Sequence, residues 1–262
     1  MARLSDSIAA LEADRGRYSI DAPEAWAQGR TLYGGMTLAL AHEAAIRYFD
    51  DLPPLRSAQC VFVGPAQGRL HFLPGMLRQG RSTTMVAVEA VGDDGPVLRA
   101  SFLFAAERES GVRVDAPSLP EVLAPDDSGP LFPGDSGRAP GFTANFDMRL
   151  GAGSQGGSGG DPMMAVWTRF REPPGGHPVT ALLALADAPP PAAIVRFPRM
   201  GPLSSVTWNL DLLDTSADPG DWFLARAEAD KAAGGLTTQD MRLWSEDGRC
   251  VAIGRQQVAL FV

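Results

Sequence analysis

The sequence predicts an α+β fold built from two tandem repeats, each a long buried helix wrapped by an antiparallel sheet. Three observations predict it. Residues 68–105 and 220–261 run through the same pattern, a largely apolar helix candidate precedes each, and Asp-Gly turns recur at matching places. Self-similarity of this kind marks a duplicated unit.

The elements follow in order. The segment GGMTLALAHEAAIRYFDD, 34–51, is apolar on most of its surface and reads as the first helix. SAQCVFVGPA, 57–66, alternates as one strand. Residues 68–105 then give Gly, an apolar strand, Thr83-Thr84, an alternating strand, the Asp94-Gly95 turn and another alternating strand. Asp-Gly between alternating runs signals a hairpin, because Gly accepts the positive φ of a tight turn. In the second copy, FTANFDMRL, 142–150, reads as an opening strand and HPVTALLALADAPPPAAI, 177–194, as a helix that the prolines end near residue 188. SSVTWNLDLL, 204–213, is the next strand, and residues 220–261 repeat the pattern with Thr237-Thr238 and Asp247-Gly248. A helix apolar nearly all round must be covered, and the sheet that follows can wrap it. That is the logic of the hotdog fold, and two copies make a double hotdog. The predicted organisation is one repeat over 1–107, a Pro/Gly-rich linker over 108–140 and a second repeat over 141–262. The two sheets are expected to join, and the remaining sheet edges favour a homodimer or a dimer of dimers.

Composition narrows the function. The chain has 262 residues, with 23 Lys+Arg against 31 Asp+Glu and a formal charge of −8. An acidic chain is a poor match for nucleic acid, which needs a basic face. No stretch reaches the roughly 18–20 consecutive apolar residues of a membrane span. The start, MARLSDSIAALEADRGRYSI, carries acidic residues where a signal peptide has its apolar run, so a cytoplasmic location is expected. Cys60 and Cys250 stand in apolar strand-like runs and read as buried thiols.

The glycine-rich loop 151–162 holds two decoys. Residues 151–156 match GxGxxG and residues 156–160 match GxSxG, yet no helix pattern opens after either. His42, His71 and His177 have Thr37, Ala66 and Glu172 five positions earlier, so the Asp–His pair typical of hotdog hydratases is missing. No cluster has metal-ligand spacing, and no cofactor is expected.

The carboxylate Asp187 is anomalous, ending an apolar helix in VTALLALAD. Held there it is partly desolvated, which raises its pKa and makes it a better base; turned outward beside 189–191 it is only a solvated helix end. In the strand 204–213, period-two alternation puts Ser205, Thr207, Asn209 and Asp211 on one face. Gln256 and Gln257 interrupt an apolar last strand and face opposite ways, with the spacing from Val251-Ala252 favouring Gln256.

The second half resembles the acyl-CoA thioesterase II family of double-hotdog enzymes through LADAPPPA, PLSSVTWNLDLL, the segment 221–252 and AIGRQQ. The first half resembles it through LYGGMTLALAHEAA, VFVGPAQGRL and LRQGRSTTMVAVEA. In that family an Asp near the end of the second helix, a Thr or Ser on the next strand and a Gln on the last strand hold a water. The resemblance implies those roles for Asp187, for Ser205 or Thr207, and for Gln256, with an acyl-CoA as substrate. Gly34-Gly35, opening the first helix, are candidate oxyanion donors, and Arg78 and Arg81 are candidates for the nucleotide phosphates. A non-catalytic acyl-CoA or acyl-carrier binding protein, or a hydratase, is the alternative on the same scaffold.

Overall fold

A computed structural model describes residues 2–133 and 139–262. The first half runs α1 (Leu4–Ala9), β1 (Glu12–Asp14), β2 (Arg17–Asp21), β3 (Ala27–Gln28), β4 (Thr31–Leu32) and α2 (Gly34–Tyr48). It continues through β5 (Leu55–Phe62), β6 (Arg69–Gln79), β7 (Thr83–Gly92) and β8 (Gly95–Ala105). The second half has β9 (Gly129–Pro130), β10 (Phe146–Gly153), β11 (Met163–Phe170), α3 (Pro178–Ala186), β12 (Leu203–Leu212), β13 (Phe223–Ala233), β14 (Leu236–Ser245) and β15 (Cys250–Leu260).

Thirteen of the described strands form one antiparallel sheet in the order β1-β2-β6-β7-β8-β5-β12-β15-β14-β13-β11-β10-β9. The halves join where β5 pairs with β12, Asn209 opposite Gln59. Each half is a hotdog unit, and the chain is a double hotdog. The predicted hairpins occur, with Gly95 at φ +117° and Gly248 at φ +90°, values that a side chain resists.

Helices α2 and α3 are buried against this sheet. In α3 every residue from Val179 to Ala186 is buried, and in α2 every residue from Gly35 to Ala45. Each fully buried Leu contributes roughly 1.5–3 kcal/mol, so the apolar faces alone hold the helices in place. The helices touch directly: Tyr33 Oη donates to the Ala184 carbonyl at 2.9 Å, and Gly35 lies against Ala184.

Several sequence boundaries shift. The first helix stops at Tyr48 instead of 51, because the chain must turn before Pro53-Pro54, and the residue ahead of a proline disfavours helix. The second stops at Ala186 for the same reason, leaving Asp187 as its C-cap two residues before Pro189. The opening strand of the second half starts at Phe146, after a short 3-10 helix over Gly141–Asn145. It runs through Gly153, so three residues assigned to the glycine loop are strand. Residues 117–130 pack on the second half: Trp244 Nε1 donates to the Pro117 carbonyl, Trp167 Nε1 to that of Leu123, and β9 adds to the sheet edge. Cys60 and Cys250 are buried free thiols.

Candidate active site

Asp187 leaves α3 in a non-helical conformation, φ −98° and ψ 4°, aimed at the first turn of α2. Gly34 and Gly35 make the approach possible. A Cβ on Gly34 would lie 2.6 Å from Asp187 Oδ2, and one on Gly35 would meet Asp187 Cβ at 2.9 Å and the Ala184 carbonyl at 2.8 Å. The Gly35 N–H donates to the Asp187 carboxylate. Of the two glycines expected to serve an oxyanion, Gly35 thus has its amide facing the Asp187 carboxylate. A helix N-terminus favours negative charge, and here the side chain supplies it.

The strands β12 and β15 bring the other groups. Gln256 Nε2 donates to Asp187 Oδ1 at 2.7 Å and to Ser205 Oγ at 3.0 Å. Thr207 is not among them. A β-bulge between Ser205 and Thr207 shifts the register, so Ser205 sits opposite Val258 while Thr207 sits opposite Gln257. A bulge inserts one residue and reverses the facing of everything beyond it. Ser205 therefore shares the inner face with Trp208, and Thr207 turns to the outer face. The period-two reading that put Ser205 and Thr207 together fails at this bulge. Gln256 is buried and Gln257 exposed, as the spacing indicated.

Burial pushes the Asp187 carboxyl up to about 7, against the opposing pull of the Gln256 and Gly35 hydrogen bonds. Packed atoms surround the carboxyl, while the residue as a whole is only partly buried. Asp187, Ser205 and Gln256 line a pocket of about 380 Å³ that has Phe132, Phe142, Ile194 and Leu203 among its apolar walls. Pro189, Pro190 and Pro191 complete one side. A depression of about 650 Å³ beside Thr207 is lined by Gln256 and Cys60 among others, and one of about 750 Å³ lies beside 173–176; Asp187 lines neither. Tyr33 and Cys60 flank the carboxylate; burial first, and then the Asp187 charge, raises both well above their ordinary values and keeps them neutral.

Other sequence candidates lie outside the cluster. Arg78 and Arg81 are exposed near the β6–β7 turn, and neither lines the pocket. Period-two facing does not determine where a long hairpin projects, so LRQGRS alone carried no distance to Asp187. His42 Nδ1 pairs with Thr180 Oγ1, His71 Nδ1 with Ser19 Oγ, and His177 Nδ1 caps α3. Burial and the neighbouring His177 lower His42 to about 3, so it stays neutral. No group of His, Cys, Asp and Glu suited to a metal occurs among the described residues. No described helix is long and apolar enough to cross a membrane.

The duplicated positions in the first half carry no such set. Gln256 pairs with Trp208 and Gln239; its counterpart Phe102 pairs with Ala58 and Val86. Repeat symmetry thus places polar machinery in one half and packed apolar side chains in the other.

Comparisons with known proteins agree with this architecture. The acyl-CoA thioesterase N-terminal domain family matches residues 22–105, and the acyl-CoA thioesterase C-terminal domain family matches residues 120–260. A conserved protein of unknown function with a hot dog fold from Alicyclobacillus acidocaldarius superposes with a TM-score of 0.85 at 24% identity, covering 100% of this chain and 99% of that one. A putative thioesterase II from Thermobifida fusca gives 0.77 at 19% identity, with 100% and 98% covered. An acyl-CoA thioesterase II from Mycobacterium marinum gives 0.73 at 18%, with 97% and 96% covered. At these identities the structural likeness is one of fold. No curated protein sequence matches the chain significantly.

Proposed function

The chain belongs to the acyl-CoA thioesterase family, and from that membership we propose that it hydrolyses the thioester of an acyl-CoA to a free acid and coenzyme A, with Asp187 as general base. The observation that carries this reading is the convergence of Asp187, Gln256 and Ser205 on the lining of one largely apolar pocket. A carboxylate with a pKa of about 7 is both ionised to a useful extent at neutral pH and basic enough to help water attack.

In the proposed reaction the acyl chain lies along the apolar wall, and a water sits against Asp187 and Ser205. Because Ser205 Oγ accepts from Gln256, its own hydrogen is left to donate to that water. Asp187 takes a proton as the water oxygen bonds to the thioester carbon. The carbonyl oxygen becomes an oxyanion beside the first turn of α2, where the Gly34 amide opens the helix. Collapse breaks the carbon–sulfur bond, and the proton on Asp187 leaves with the thiol. General-base help of this kind contributes roughly 10²–10⁴-fold. Arg30 and Arg199, exposed and adjacent in sequence to the pocket residues Gly29 and Met200, are the cations we assign to the nucleotide phosphates.

The proposed enzyme is cytoplasmic, uses no cofactor and assembles as a homodimer or a dimer of dimers, each subunit made of the repeats 1–107 and 141–262 joined by 108–140. Thiol release measured across acyl-CoA chain lengths tests the reading. Turnover that disappears in Asp187→Asn supports it. Tight acyl-CoA binding with no thiol released favours the binding-protein alternative instead.

A further inference from the structure

Within the hydrolytic reading above, we infer that Gln239 is a positioning residue, which sets the direction of the Gln256 amide and thereby which atom faces Asp187. A primary amide is nearly the same shape at both ends, so sterics alone do not choose between its two orientations. The choice matters here. With Nε2 toward the carboxylate, Gln256 makes a charge-assisted hydrogen bond; turned over, it would press a carbonyl oxygen against a carboxylate oxygen.

The structure contains the device that decides. Gln239 on β14 lies directly across from Gln256 on β15, and its Nε2 donates to Gln256 Oε1 at 2.8 Å. The orientation of Gln239 is fixed in turn by the Ala192 backbone N–H, which donates to Gln239 Oε1 at 2.9 Å. A backbone amide cannot reverse its role, so the chain of donors has a fixed origin. Ala192 is also the first residue after 189–191 that has an N–H, since proline lacks one. The sequence of donors is therefore Ala192, Gln239, Gln256, and then Asp187 and Ser205 together. Gln239 is 1% and Gln256 4% exposed, which leaves no bulk water to replace a lost partner. The counterpart of Gln239 in the first half is Val86, opposite Phe102, so the relay belongs to the half that holds Asp187.

A purely structural role, tying the proline wall to the sheet, is the competing account, and two substitutions separate them. Gln239→Met keeps bulk but provides neither donor nor strong acceptor. Gln239→Glu keeps an acceptor for Ala192 in both protonation states. Only its protonated form has an O–H to donate to Gln256; its ionised form accepts, and turns Gln256 over. The measurements are thiol release against pH, melting temperature, and the Asp187 titration followed by carboxyl carbon NMR. We expect Gln239→Met to lower kcat by about 10- to 100-fold with KM changed less than about threefold, as for a misaligned catalytic group. The Asp187 titration should move up in that variant. The activity of Gln239→Glu relative to wild type should be near one at low pH and fall as the introduced carboxyl ionises, since a carboxylate has no hydrogen to give Gln256 Oε1. Its wall contact is intact throughout, so a fall as the introduced carboxyl ionises reports the relay, whereas activity near one at every pH is what the wall contact alone would give. Wild-type kcat and an unmoved Asp187 titration in Gln239→Met would overturn the inference. So would a Gln239→Glu activity that stays near wild type while carboxyl carbon NMR shows the introduced carboxyl ionising. If the wild-type chain releases no thiol, the hydrolytic reading fails by itself, and the Asp187 titration still decides the role of Gln239.

Discussion

Replacing Asp187 with Asn should make the fold progressively more stable, relative to the wild-type chain, as pH rises from about 4 to about 7. The cause is the carboxyl's environment: burial lifts its pKa from the ordinary 3.8 to about 7. Between those values the unfolded chain has already released the proton while the folded chain keeps it, so raising pH favours unfolding. Above about 7 both states are ionised and the penalty is constant. At about 1.4 kcal/mol for each tenfold change in proton affinity, the full displacement corresponds to on the order of 4 kcal/mol. Water that reaches the carboxyl through the pocket reduces this, and roughly 1–3 kcal/mol is the expected range. Asn keeps an acceptor for Gln256 and never ionises, so the difference between the two proteins isolates the charge. Urea unfolding of both at pH 4.5, 5.5, 6.5, 7.5 and 8.5 measures it. A difference in unfolding free energy that stays constant over this range would refute the argument that Asp187 is desolvated.

Two further substitutions probe the geometry. Ser205→Ala should lower kcat by about 10-fold or more, whereas Thr207→Ala, on the outer face across the bulge, should leave it within about twofold; equal losses would contradict the register described for β12. Gly35→Ala should destabilise the chain by roughly 1–3 kcal/mol in thermal or urea melts and reduce turnover, because its Cβ would push on the Ala184 carbonyl, Tyr33 and Asp187 together.

Much of the fold was legible because its signals are local or duplicated. The Asp94-Gly95 and Asp247-Gly248 turns and the two apolar helices fix hairpins and core independently, and the repeat makes each reading check the other. Asp187 stood out for the same kind of reason, as a lone carboxylate ending an apolar helix. What was hidden depends on register and on distance in space. The bulge at Val206 depends on pairing with β15 and reverses the facing that alternation assigns to Ser205. Gln239 was overlooked within LTTQDMRLW, although Thr237, Gln239, Met241 and Leu243 alternate onto the buried face. Tracing that period back from Leu243 would have put Gln239 inside, where a buried amide needs partners. The closeness of Asp187 to Gly35 was hidden too, because sequence shows where a helix begins but not what fills the space before it.

The most direct test of the central claim is the pH dependence of kcat/KM for acyl-CoA hydrolysis by the wild-type chain and Asp187→Asn. A general base at Asp187 predicts activity that rises with pH to a plateau, with an apparent pKa of about 7, and a loss in the variant of at least about 10²-fold with the fold intact. A variant that releases thiol within about threefold of wild type, or a wild-type rate with no titration between about pH 5 and 9, would contradict it.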